Sequence, residues 1–181
     1  MTFLLLALAC AVDDVKDDTG APDDTADTAD SADSGDTTDS GDTSGGDGPG
    51  DLTGTWLSEG ENLSPLFAAE PFSYVSITAD FGGDGAYDVA ATDADGQTVT
   101  LTGTFVVDAT TNPGTIVLTQ TTPYSATAEG IWQVVGTTLT YEVVQTVPDY
   151  GFTPPTPETG FGSTAGGSLE PGDNVQVYVK Q

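Results

Sequence analysis

The sequence predicts an all-β fold: an eight-stranded antiparallel meander that closes into a barrel. The clearest signal is residues 97–107, where Val99, Leu101, Phe105 and Val107 share one parity and threonines occupy the other. A period of two in β-branched and aromatic residues is typical of a strand with one buried face and one solvated face. Short connections between such stretches favour antiparallel neighbours. A barrel removes exposed edges, but the same periodicity is compatible with a two-sheet sandwich.

The remaining strands follow from the same alternation, and turn-forming residues separate most of them. Gly82-Gly83-Asp84-Gly85, Asp93-Ala94-Asp95-Gly96, Asn112-Pro113-Gly114 and Gly136-Thr137 provide four of these turns. The seventh strand is marked by Leu139, Tyr141 and Val143 on one parity, and the eighth by Val175, Val177 and Val179. The other predicted strands are 52–59, 73–81, 86–92, 97–107, 115–121 and 124–135, and the eighth spans 174–179.

Two segments interrupt the meander. In residues 60–71, Leu63, Leu66 and Phe67 have the spacing of one helical face, which predicts a helical turn packed over one end of the barrel. Residues 148–172 form a longer segment rich in proline and glycine. A loop of this length in a small domain is usually functional, and the alternative is a cover over the fold.

The charge of the chain is strongly negative, with 29 acidic residues, two lysines and no arginine or histidine. Residues 11–50 hold thirteen Asp and one Lys, so the formal net charge of −27 leaves −15 for residues 51–181. Such a polyanion repels phosphate, which excludes nucleic acid as a partner and docking on anionic lipid by charge. The acidity is explained by solubility, and cation binding is the sharper alternative.

The residue types required for most catalysis are missing. Without histidine there is no imidazole base, no Ser-His-Asp triad and no histidine metal ligand. Asp93-Ala94-Asp95-Gly96 begins like a calcium loop but lacks the third acidic position and the downstream glutamate, so a turn is favoured. Glu129 and Glu142 have the parity opposite to the apolar residues and are expected to face solvent. We therefore expect no enzyme activity, no catalytic residue, no cofactor and no metal site.

An acidic segment precedes the predicted barrel. From Asp24 to Asp42 an aspartate recurs every three residues, separated by Thr, Ser, Ala and Gly. Large apolar residues are absent between Lys16 and Asp51, so no burial offsets the entropy of ordering. Residues 10–50 are thus predicted to be a disordered linker, and residues 51–181 the folded domain.

The N-terminus resembles that of bacterial lipoproteins. Residues 2–9 are an apolar run too short to span a bilayer but suited to a signal peptide, predicted at residues 1–9. Leu6-Ala7-Leu8-Ala9-Cys10 resembles the lipobox, and in that family the signal peptide is cleaved before the cysteine, which is then acylated. An ordinary signal peptide that contains a cysteine is the alternative. The resemblance implies lipidation of Cys10, attachment to a membrane through that lipid, and export to the outer membrane or cell surface.

The folded region resembles the lipocalin-like (calycin) barrels. Gly54-Thr55-Trp56 on the first strand matches their Gly-x-Trp motif, in which the tryptophan packs across the barrel floor. The arginine that commonly packs on this tryptophan in lipocalins is missing. The resemblance spans residues 51–181 and implies binding of a small apolar ligand inside the barrel. The alternative is that the large inward side chains only fill the core. The candidate lining residues are Trp56, Tyr87, Leu101, Phe105, Trp132 and Tyr141.

Together these features predict a non-catalytic, lipid-anchored envelope or surface protein whose barrel binds a small hydrophobic ligand. The alternative is a structural or adhesion module that acts through its outer surface or through residues 148–172. The sequence indicates neither a particular ligand nor a protein partner.

Overall fold

A computed structural model describes residues 48–181 of the protein. The predicted signal peptide, Cys10 and nearly all of the predicted linker lie outside the described residues.

Eight antiparallel strands form a closed barrel in chain order, with β8 returning to pair with β1. The meander and its closure confirm the predicted fold and exclude the sandwich. Each predicted strand is present, with ends that differ by a few residues. The strands are β1 (Gly54–Glu59), β2 (Tyr74–Phe81), β3 (Ala86–Asp93), β4 (Thr98–Asp108), β5 (Gly114–Thr122), β6 (Ala126–Val135), β7 (Thr138–Val147) and β8 (Gln176–Lys180).

The pairing register defines two ends of the barrel. Gly54 lies opposite Phe81, and Gly114 lies opposite Trp132, so the starts of β1, β3, β5 and β7 meet at one end. We call this the closed end, because its interior holds the fully buried Trp56, Phe81, Trp132 and Leu139. The opposite end, where β2, β4, β6 and β8 begin, is called the open end.

A glycine on β6 permits close contact between two strands. Gly130 lies between Ile116 of β5 and Val143 of β7 in the register. A Cβ atom placed on it would lie 2.0 Å from the carbonyl oxygen of Glu142, a distance that no side chain tolerates. Glycine at this inward position therefore lets the backbones of β6 and β7 approach where the wall curves.

The junction of β1 and β8 is short, and buried side chains reinforce it. Only Trp56–Lys180 and Leu57–Val179 pair across it. Nearer the open end, the Gln176 amide donates from Nε2 to Ser58 Oγ at 2.8 Å. Its Oε1 accepts a hydrogen bond from the Ser64 backbone N–H, also at 2.8 Å. One buried glutamine thus joins β8 to β1 and to the segment that follows β1.

That segment contains the predicted helical turn. A 3₁₀ turn (Gly60–Asn62) is followed by α1 (Pro65–Ala68), whose first turn is capped by Ser64. Leu63 is buried, and Leu66 and Phe67 pack against the core, as the spacing predicted. The Leu66 N–H donates to the Asp173 carbonyl oxygen, which places this segment at the open end beside the start of β8.

Residues 148–172, which we call the outer strap, cover part of the outside of the barrel. Thr153 and Ala165 form an antiparallel bridge within the strap. Glu142 faces outward from β7, yet it is 0 % exposed, because its carboxylate accepts hydrogen bonds from the strap. The donors are the backbone N–H groups of Gly162 and Thr164 and the Thr164 hydroxyl. The expectation that Glu142 faces solvent is therefore wrong, because the strap lies over it.

The eighth strand is oriented opposite to what its valines suggest. Gln176 and Tyr178 point inward and are buried, and Val179 lies on the outer face and is partly exposed. The row of valines therefore marks the outer surface of β8. Alternation identified the strand, but it gave no reason to place the polar parity inside.

We expect Glu142→Gln to loosen the outer strap. The carboxylate accepts from two backbone N–H groups through different oxygens, and an amide in its place presents an N–H to one of them. Leaving a buried donor unpaired costs about 1–3 kcal/mol. Amide hydrogen exchange at Gly162 and Thr164, measured by NMR, should accelerate about tenfold or more.

Glu129→Gln is the matched control. Glu129 is half-buried on the outer face of β6, and its carboxylate accepts from the Thr146 hydroxyl, which can rotate to serve an amide. Exchange in the strap should stay unchanged in this variant. Equal exchange rates in wild type and Glu142→Gln would show that Glu142 does not hold the strap.

Candidate functional site

A cavity of about 130 Å³ occupies the open half of the barrel and is partly open to the outside. It exists because the inward side chains differ in size along the barrel axis. At the closed end they include Trp56, Phe81 and Trp132, whereas those in the open half include Ala91, Ala126 and Ala128. The wall of the cavity also includes Ile77, Val89, Val99, Leu118 and Val143.

The six predicted lining residues divide into two groups. Tyr87, Leu101 and Tyr141 line the cavity. The remaining three belong to the core but do not line the cavity: Trp56, Phe105 and Trp132. Parity correctly placed all six on the inner face, but it does not show which inward side chains pack against one another and which border the cavity. Ligand binding by the three cavity residues stays a prediction.

The closed end is filled by aromatic side chains whose polar groups are hydrogen-bonded. The Trp56 indole N–H donates to the Leu52 carbonyl oxygen at 2.7 Å, and that of Trp132 donates to the Thr115 carbonyl oxygen at 3.2 Å. The Phe105 ring contacts Phe81 edge to face, with centroids 5.2 Å apart. Both indole N–H groups at the closed end therefore have a hydrogen-bond partner.

A cation lies over the floor tryptophan. Lys180 Nζ is 5.2 Å from the centroid of the Trp56 ring, within the range of a cation–π interaction. Pairing of β1 with β8 makes this contact possible, because Trp56 and Lys180 are register partners.

The rim of the cavity contains aromatic residues that sequence reasoning did not assign to the site. Phe67 of α1, Phe72 and Tyr74 form a cluster whose ring centroids lie 5.6–6.2 Å apart. All three line the cavity. Tyr74 has the parity opposite to Ile77 and Phe81, and it faces inward because the pairing of β2 with β3 shifts register between Tyr74 and Ser76. Phe67 and Phe72 reach the site only through the tertiary position of the segment after β1.

Tyr178 is a further lining residue, and it contacts Tyr141 edge to face at 6.3 Å. Burial raises the pKa of Tyr87 to about 12 and raises the pKa values of Tyr141 and Tyr178 further above the usual range. Neighbouring phenols add to the effect on Tyr87 and Tyr141. The three side chains therefore remain neutral O–H groups at physiological pH.

The polar part of the lining is neutral and comes from amide side chains. Gln120 and Gln145 stand on either side of β6, and each donates from Nε2 to a loop carbonyl, that of Tyr124 at 3.0 Å and that of Pro148 at 3.1 Å. Asn174 donates from Nδ2 to the Val143 carbonyl oxygen at 2.7 Å. None of the cavity-lining residues is charged.

The arrangement suits the binding of a small molecule by shape and apolar contact. A dry cavity of about 150 Å³ accepts benzene, so this cavity is the size of a single ring. In residues 48–181 no cluster of three or more acidic or cysteine side chains is placed to hold a metal ion. Within the same residues, no helix has the length and apolar character needed to cross a bilayer.

The chain matches no protein-family model, no curated protein and no solved structure. The assignment of a site therefore depends on the geometry of the cavity alone.

We expect the barrel to lose stability above pH 10. In the unfolded chain tyrosines ionise near pH 10, whereas burial keeps Tyr87, Tyr141 and Tyr178 protonated in the folded state to higher pH. The stabilising contribution is complete below pH 10 and is lost as the pH rises towards the folded pKa values. The free energy of unfolding, measured with urea at pH 8–12, should fall by up to about 1.4 kcal/mol per pH unit for each such tyrosine.

Tyr178→Phe should make this decline shallower, and Tyr150→Phe, at an exposed position, should leave the slope unchanged. A free energy of unfolding that stays constant from pH 10 to pH 12 would contradict the burial of these phenols.

Proposed function

We propose that the protein is a non-catalytic binding protein that takes up one small, mainly apolar molecule in the open half of its barrel. The observation that carries the proposal is the unfilled cavity bounded by Leu101, Tyr87 and Tyr141. Interiors of small barrels are normally filled to crystal-like density, and a void forfeits dispersion contacts along its whole lining. A ligand of matching size would restore those contacts.

The chemistry of the lining supports binding over catalysis. The side chains are apolar, phenolic or amide, and the phenols of Tyr141 and Tyr178 are held neutral by burial. General acid–base catalysis works best when the group has a pKa near the operating pH. No pair of carboxylates lines the cavity. These points support the expectation that the protein is not an enzyme.

A relationship to the lipocalin-like barrels is part of the proposal. The eight-stranded antiparallel barrel is compatible with that family, and Trp56 of the Gly54-Thr55-Trp56 motif lies at the closed end, where the family places its floor tryptophan. The ligand class implied by the resemblance, a small apolar molecule, agrees with the lining.

We further propose that the protein is held at a membrane by a lipid on Cys10 and is exported to the outer membrane or cell surface. Leu6-Ala7-Leu8-Ala9-Cys10 supports this step by its similarity to a lipobox. The acidic residues 11–50 separate Cys10 from the barrel in the sequence. The alternative of an adhesion module acting through the outer strap has less support, because Glu142 already binds part of the strap to the barrel.

We expect toluene to bind in the cavity and stabilise the barrel. A ligand that binds only the folded state adds about 2.7 kcal/mol at one hundred times its dissociation constant, so the Tm should rise with toluene concentration. Leu101→Trp should abolish the rise by filling the cavity. Calorimetric titration provides an independent measure of the affinity.

Val106→Trp is the control, because Val106 is on the same strand but 72 % exposed. This variant should bind toluene as the wild type does. Equal shifts of Tm in all three proteins, or no shift in the wild type, would refute binding in the cavity.

For the anchor, we expect protein extracted from membranes to carry an acylated N-terminal cysteine derived from Cys10. Cys10→Ser should remove the lipid and move the protein to the soluble fraction. Mass spectrometry of the mature N-terminus distinguishes the outcomes, and an unmodified thiol in the wild type would refute the anchor.

A further inference from the structure

One buried acceptor on a cavity-lining side chain has no hydrogen-bond partner within residues 48–181. Gln145 is 2 % exposed and lines the cavity, and its Oε1 has no hydrogen-bond partner among the described residues. Its Nε2 donates to the Pro148 carbonyl oxygen. A carbonyl oxygen only accepts, so this contact fixes the orientation of the amide and leaves Oε1 as the free atom.

An unpaired buried acceptor is unfavourable and calls for an explanation. Leaving such a group unsatisfied costs about as much as several typical net hydrogen bonds contribute. Native structures contain few such groups, and each one calls for an explanation, such as a functional role or a bound water or ion. In Gln145 the free oxygen belongs to an inward side chain at the open end, where a bound molecule would lie.

The charges around the open end restrict the ligand further. Lys180 is the only basic residue in residues 48–181, and it lies over Trp56 at the closed end. Acidic residues occupy the loops and strand ends at the open end instead: Glu59, Glu61, Glu70, Asp93, Asp95, Asp149 and Asp173. An anionic ligand would be repelled on approach and would have no cation to pair with inside.

The acidic residues around the open end would attract a cation, but the cavity lining offers it no carboxylate. Cation–π contacts with the tyrosines would recover only part of the cost of removing the charge from water. A neutral donor pays a smaller desolvation cost and can pair with the unpartnered Gln145 oxygen.

We propose that the ligand is a neutral molecule of single-ring size that carries a hydroxyl or N–H donor, and that Gln145 Oε1 accepts a hydrogen bond from this donor. The apolar body of the ligand packs among Leu101, Leu118 and the alanines of the open half. This inference rests on the proposed function and names the ligand class of the same cavity.

The test compares phenol with toluene, which has a similar size and lacks the donor. Calorimetric titration gives both dissociation constants for the wild type and for Gln145→Leu. Removing the acceptor should raise the ratio of the phenol to the toluene dissociation constant about tenfold, because only phenol loses a hydrogen bond. Toluene binding by the variant shows that the barrel is folded.

Gln133→Leu is the matched control, since Gln133 is on the outward parity of β6 and its Nε2 donates to Asn112 Oδ1. The ratio should not change in this variant. An unchanged ratio in Gln145→Leu would overturn the inference while leaving the proposed function intact.

Benzoate and benzylamine complete the probe set. Both should bind the wild type more weakly than phenol, and tighter binding of either would overturn the neutral-donor assignment. If no probe binds, the proposed function fails and the ligand class fails with it.

Discussion

The barrel depends on the buried hydrogen bonds of Gln176, because they close its weakest junction. Backbone pairing between β1 and β8 covers only two residue pairs, so the part of this junction nearer the open end lacks paired backbone. Gln176 bridges Ser58 and the Ser64 backbone there, and Asn174 bonds to the Val143 carbonyl oxygen nearby. Side-chain hydrogen bonds therefore hold β8 beside β1 in the part of the junction where the backbones are not paired.

The position of the cavity follows from a gradient in side-chain size. Inward residues of the closed end include both tryptophans and Phe81, and those of the open half include three alanines. Close packing is therefore reached at one end and not at the other. The amide side chains that line the open end also hold its loops, since Gln120 and Gln145 each bond to a loop carbonyl. The residues that hold these loops thus also line the cavity.

The sequence predicted the architecture well because parity and turn residues are local signals. All eight strands, the helical turn after β1 and the inward direction of the six candidate residues could be read in this way. Which of the six line the cavity could not be predicted, because this depends on how side chains from different strands pack together. Trp56, Phe105 and Trp132 proved to lie in the core outside the cavity. The buried Glu142 and the inward Gln145 run against the rule that polar residues face water. Their partners, in the strap and at Pro148, are created only by the tertiary fold.

The outward side chains of the barrel wall are buried in some places and exposed to water in others. On β6 and β7 the outward Ile131 and Val144 are as buried as the interior residues, because protein covers both faces of the sheet there. On β4 the outward Val106 is open to water. Local opening is easiest where few apolar contacts must be broken. We therefore expect the barrel to open locally more easily at β4 than at β6 and β7. A ligand too large for the cavity would gain room by displacing the wall at β4.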